Sequence, residues 1–104
     1  MKLNPKIFSE IKFHYINQEE QNGLGHAVLL AESIIANDAF ALILPDELFF
    51  ADESCLSQIN EIFRNTNSST LAVSRVNEQN IHKYGVIKPG KEDDNGIIIE
   101  DIIE

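Results

Sequence analysis

The chain has a single cysteine, Cys55. No disulfide can form within it, and one unpaired thiol suits a reducing compartment such as the cytoplasm. Long apolar runs are missing as well: nothing approaches the roughly 20 consecutive apolar residues that a membrane-spanning helix needs. Residues 1–6 carry charge without an apolar stretch behind them, so no secretory signal is expected. Cations are scarce, with 8 Lys and Arg against 17 Asp and Glu and a net charge of −9. So acidic a balance argues against nucleic-acid binding, which needs a basic face. There are no internal repeats and no low-complexity segments.

What remains is ordinary globular material. At 104 residues the chain amounts to one domain or a piece of one. Its 43% hydrophobic content is too high for intrinsic disorder. Residues 1–11 read as a lead-in holding the end of a helix after Pro5, and 12–17 as a strand. Leu24, Ala27, Val28, Ala31, Ile34 and Ile35 recur at helical spacing, which predicts one helix over 23–36. Residues 39–44 are continuously apolar, as in a strand covered on both faces. A second helix is expected over 52–66, carried by Leu56, Ile59, Ile62 and Phe63 and capped by Asp52 or Ser54. Residues 65–68 form a turn, and 70–73 a third strand. Residues 77–83 read as a short helix or loop, 84–88 as a strand, 89–96 as a solvated loop, and 97–103 as a last strand antiparallel to 84–88. The order strand–helix–strand–helix–strand predicts an α/β fold: a mostly parallel sheet with helices on its faces and a C-terminal antiparallel pair.

In open α/β sheets, ligands bind beyond the carboxyl ends of the strands. Gln18 and Asp46 both fall there. The Gln18 side chain offers an amide donor pair and a carbonyl acceptor, which can match the N3–H and carbonyl edge of a pyrimidine. Gly23 lets backbone approach a flat base with no side chain in the way. On the residues alone, the plainer reading is that Gln18 is a solvated loop residue and Gly23 a turn. Asp46, after Pro45 at a strand end, can hold Mg²⁺ that bridges phosphate oxygens, or can act as a turn or capping aspartate; Glu47 is a neighbouring candidate. His26 lies in the first helical turn, where packing or hydrogen bonding is the ordinary role of a lone histidine, and no serine or cysteine nucleophile lies nearby. Cys55 fits an apolar helix face. Tyr84-Gly85 is either a strand start or a sugar-contacting pair. No lysine or arginine falls within 18–28 or beside Asp46, so a triphosphate here would need charge from Mg²⁺ or from residues outside this sequence.

Together these segments resemble the middle of the bacterial UTP–glucose-1-phosphate uridylyltransferases, from Lys12 to Glu104. Gln18 followed by Gly23-Leu24-Gly25-His26-Ala27-Val28 is similar to that family's uracil-binding segment. Leu44-Pro45-Asp46 is similar to its metal-binding strand end, Lys83-Tyr84-Gly85-Val86-Ile87 to its sugar-side segment, and Ile102-Ile103-Glu104 to the start of a motif continuing Lys-Pro. Related thymidylyltransferases usually show Gly-Leu-Ala-Gln at the first position and Gly-Asp at the second. The resemblance implies a Rossmann-like nucleotidyltransferase scaffold in which Gln18 and Gly23 bind uracil, Asp46 holds Mg²⁺, and Gly85 and Glu104 contact glucose. It implies no catalytic nucleophile from the chain, and a reaction between UTP and glucose-1-phosphate. The family's Gly-Thr-Arg triphosphate loop and the lysine after Glu104 are not in this sequence. Residues 1–104 are therefore expected to be the central part of a cytoplasmic, homo-oligomeric enzyme without membrane or nucleic-acid partners, and inactive by themselves. Two alternatives stay open: another sugar-1-phosphate nucleotidyltransferase, and a non-catalytic binding or assembly module on the same scaffold.

Overall fold

The computed structural model describes residues 5–103. The chain divides into two compact units after Ala41. The first unit holds three short helices: α1 (Pro5–Glu10), α2 (Gly23–Leu29) and α3 (Glu32–Ile35). The second holds α4 (Cys55–Thr66), a 3₁₀ helix (Glu78–Lys83), and the strands β1 (Val86–Asp93) and β2 (Gly96–Ile103). Among the described residues none is buried, apolar or polar. Order in each unit therefore rests on local hydrogen bonds rather than on a core.

α4 shows how much a sequence can do locally. Ser54 stands before it with extended backbone (φ −62°, ψ 139°), and its Oγ accepts from the Ser57 N–H at 3.1 Å. That satisfies one of the amide donors left over at a helix start. Ser54, and not Asp52, is the cap. Cys55, Ile59, Ile62 and Phe63 form one half-buried stripe. The helix stops at Asn67, whose left-handed backbone (φ 51°) sends its N–H back to the Phe63 carbonyl at 2.7 Å, a stop that asparagine tolerates better than most residues.

The helix expected over 23–36 is divided. Leu30 and Ala31 form a turn in which the Ala31 N–H reaches back three residues to Val28 O at 3.0 Å. Ala36 then ends α3 at φ 54°. Beta-branched Val28, Ile34 and Ile35 have weak helix propensity, and helices this short hold together mainly through packing of an apolar face, which no buried neighbour supplies here.

The mostly parallel sheet expected from the sequence is not formed among the described residues. Among the described residues the one sheet has two strands, β1 and β2, paired antiparallel from Val86↔Ile103 to Asp93↔Gly96. Residues 12–17, 39–44 and 70–73 belong to no ladder. A strand exists only by pairing, and the neighbour is a non-local partner that alternation cannot name. Alternation itself survives at Phe13 and Tyr15, whose rings stack at 6.4 Å on one side of the chain. The antiparallel C-terminal pair is as expected, but β1 continues through the segment read as a solvated loop.

Two devices allow that extension. Pro89 has no N–H to give a ladder, and the register shifts on both sides of it, as prolines in strands require. Gly90 leaves room for Glu100: a β-carbon there would lie 2.9 Å from Glu100 Cγ and 3.2 Å from the Ile98 carbonyl. The Glu100 carboxylate then reaches Lys88 Nζ at 2.9 Å, in an exposed ion pair. The turn closes with Asp93 Oδ1 accepting from the Asn95 N–H at 2.8 Å and Gly96 at φ 118°.

The cap yields a direct test. Ser54→Ala should weaken the first turn of α4 by about 1 kcal/mol, seen as faster amide exchange at Ser57, whereas Ser54→Asp should keep the protection of the parent chain.

Candidate functional site

Residues 18–30 fold into a small, locally built arrangement. The chain turns at Gly23, whose φ of +85° is a backbone conformation that side-chain-bearing residues rarely adopt. A β-carbon on Gly23 would meet nothing within 4 Å, and the same holds for Gly25. Glycine at 23 is thus needed for the turn itself, and the space above it is open. Asn22, just ahead, makes no cap to α2; its Nδ2 donates instead to Glu20 Oε2 at 3.2 Å.

The turn brings Gln18 back onto the helix. Gln18 Nε2 donates to the Gly23 carbonyl at 3.1 Å and stands 2.9 Å from His26 Nδ1. Both side chains are half-buried. Beside them lies a cleft of about 260 Å³ lined by Asn17, Glu19, Glu20, His26 and Leu30. A second hollow of about 210 Å³, apolar in its lining, runs along Val28, Leu29, Ile35 and Phe40. The first is lined by His26 of the Gln18–His26 pair, and its carboxylates make it a poor place for phosphate and a better one for an uncharged ring.

Of the site residues expected from the sequence, Gln18 and Gly23 are brought into contact. His26, read there as a packed or hydrogen-bonded histidine, is hydrogen-bonded, and to Gln18 itself. That link was not foreseen. Its signal was the eight-residue spacing across a glycine turn, which folds the loop over the first turn of the helix. Asp46 belongs to the second unit, exposed in a turn where the Glu47 N–H bonds to the Leu44 carbonyl at 3.2 Å. Among the described residues no three His, Cys, Asp or Glu side chains are placed to cage a metal. Asp46 with Glu47 suits the different case of Mg²⁺, which keeps waters and takes one or two protein carboxylates together with phosphate oxygens. Gly85 is exposed and directly precedes Val86, whose partner across the ladder is Ile103. Glu104 lies outside the described residues. Cys55 is a free, half-exposed thiol on α4. Among the described residues no helix is long and apolar enough to cross a membrane.

Residues 18–30 thus bring together a positive-φ glycine turn and an amide folded onto a helix start. The chain belongs to the nucleotidyl transferase family, whose model matches residues 2–104. Among curated proteins it is 33% identical over 90 residues to a UTP–glucose-1-phosphate uridylyltransferase of Staphylococcus epidermidis, covering 86% of this chain and 31% of that one. It is 40% identical over 75 residues to one of Mycoplasma genitalium, covering 72% and 26%. The match to one of Bacillus subtilis is 41% over 76 residues, covering 73% and 26%. The chain thus spans about a third or less of the length of these relatives. No solved structure matches it.

The turn separates two kinds of substitution. Gly23→Asn should keep the Gln18–Gly23 hydrogen bond, because asparagine tolerates positive φ. Gly23→Val should lose it, costing about 1 kcal/mol or more. The chemical shifts of the Gln18 side-chain amide protons report both outcomes.

Proposed function

We propose that this chain supplies the base-binding and metal-binding segments of a UTP–glucose-1-phosphate uridylyltransferase. The enzyme would join UTP and glucose-1-phosphate into UDP-glucose and release pyrophosphate. The similarity at 33–41% identity to enzymes of that name carries the reading, and the contact between Gln18 and Gly23 supports it. The scaffold would be Rossmann-like, its further strands supplied by the rest of the enzyme, and the reaction would run in the cytoplasm, where the lone Cys55 stays reduced.

In this mechanism Gln18 and the open backbone at Gly23 hold the uracil. Asp46 would hold Mg²⁺, which would offset negative charge on the phosphate oxygens. Gly85 and Glu104 contact the glucose. The glucose-1-phosphate oxygen attacks the α-phosphorus of UTP, and the bond to pyrophosphate breaks. The chain contributes orientation and charge placement, with no protein nucleophile. Residues 1–104 contain neither a Gly-Thr-Arg loop nor a cation within 18–28, so on this reading no turnover is expected from them alone.

The test is a chimera in which this chain replaces the matching segment of the Bacillus subtilis enzyme. It should release pyrophosphate from UTP and glucose-1-phosphate, while the 104-residue chain alone gives none. Asp46→Ala in the chimera should lower turnover by roughly a hundredfold or more. Unchanged turnover across a Mg²⁺ titration would remove Asp46 from the metal site.

We also propose that the chain associates with a second copy of itself. Phe50 and Tyr15 are 94% and 93% exposed, and Ile98, Ile102 and Ile103 lie open on β2. A lone two-stranded hairpin with free edges is marginal in water. Pairing of two copies closes an edge and covers apolar surface, while the charge of −9 opposes larger aggregates. Sedimentation at micromolar concentration should show a concentration-dependent dimer or other small oligomer; a folded, strictly monomeric species would contradict this.

A further inference from the structure

The Gln18 amide can be held in only one of its two orientations. The Gly23 carbonyl oxygen only accepts hydrogen bonds, so the group 3.1 Å from it must be the NH₂ of Gln18. The second N–H of that NH₂ points at His26 Nδ1, 2.9 Å away. That nitrogen accepts when the imidazole is neutral with its proton on Nε2. A flipped amide would set Gln18 Oε1 against the Gly23 oxygen and the Nδ1 lone pair, two acceptors facing a third. Both donors of Gln18 are therefore consumed within the chain, and no described residue donates to Oε1. What Gln18 offers a ligand is a fixed acceptor.

We infer that His26 is a positioning residue for base choice: it locks the Gln18 amide so that Oε1 faces the ligand. The locked acceptor selects a base edge with a donor, as at N3–H of uracil, over one with an acceptor, as at N3 of cytosine. This rests on the reading of residues 18–28 as base-binding. The Gly23 carbonyl alone anchors one N–H and leaves the amide free to swing, and His26 removes that freedom. The Gln18–His26 contact is part-buried, whereas the bond to Gly23 is exposed, so the histidine holds the better-shielded of the two N–H groups. The adjoining cleft is lined by His26, with Asn17, Glu19, Glu20 and Leu30, and its two carboxylates favour the uncharged base end of a nucleotide over its phosphates.

The experiment uses the 104-residue chain, isotope-labelled, titrated with UTP and separately with CTP and followed at the Gln18 side-chain amide and the Gly23 N–H. The parent chain should prefer UTP by about tenfold, the scale of one well-placed hydrogen bond. Long-range ¹H–¹⁵N spectra should place the His26 proton on Nε2. His26→Ala should cut the preference to about twofold, chiefly by strengthening CTP binding relative to UTP. His26→Asn, which can set an acceptor near the place of Nδ1, should restore it. Full UTP preference in His26→Ala, a proton on Nδ1, or loss of preference in His26→Asn as large as in His26→Ala would each overturn the inference and leave the proposed function standing. Failure of the parent chain to bind either nucleotide would count against residues 18–28 as a base-binding segment, and the inference would fall with it.

Discussion

An element without a buried face must be held by hydrogen bonds it can make nearby, and that constraint governs every described part of this chain. α4 persists because Ser54 caps one end and Asn67 turns back on the other. The hairpin persists because Asp93 and Gly96 make its turn and because Pro89 and Gly90 fall where the ladder is irregular. Segments lacking such local closure, at 12–17, 39–44 and 70–73, are in no ladder even though their composition is that of strands. Net intramolecular hydrogen bonds contribute only about 1 kcal/mol each, so an assembly of this kind is receptive to anything that buries its apolar side chains.

That receptivity links stability to function. The match to the nucleotidyl transferase family runs over residues 2–104, which include large apolar side chains that the described residues leave exposed. The candidate site is better determined than the fold around it, because its central contacts are short-range. Gln18, Gly23 and His26 lie within nine residues, and one positive-φ glycine suffices to bring them together. Asp46 depends on much more. The role proposed for it with phosphate requires the proposed base-binding segment at a set distance, and only the packing of a complete sheet specifies such a distance.

The acidic character has a similar double effect. Glu19 and Glu20 beside the cleft discourage phosphate there and leave the cleft to an uncharged ring. The scarcity of lysine and arginine means that charge neutralisation in the proposed reaction must come from elsewhere, by a metal ion or by side chains from other segments.

Much of this was readable from the sequence alone: α4 with a cap narrowed to Asp52 or Ser54, the C-terminal antiparallel pair, and the glycine turn at 23. All are set by interactions between near neighbours, where backbone preference, capping and turn chemistry are decided by residue type. The break at Leu30–Ala31, the extension of β1 through Pro89, and the orientation of Gln18 by His26 were legible only in three dimensions. Each depends on which atoms meet once the chain has turned, and sequence spacing does not state that. Strand pairing was the least legible of all: alternation reports that a segment can pair, while its partner is chosen by long-range packing against surfaces that no local pattern names.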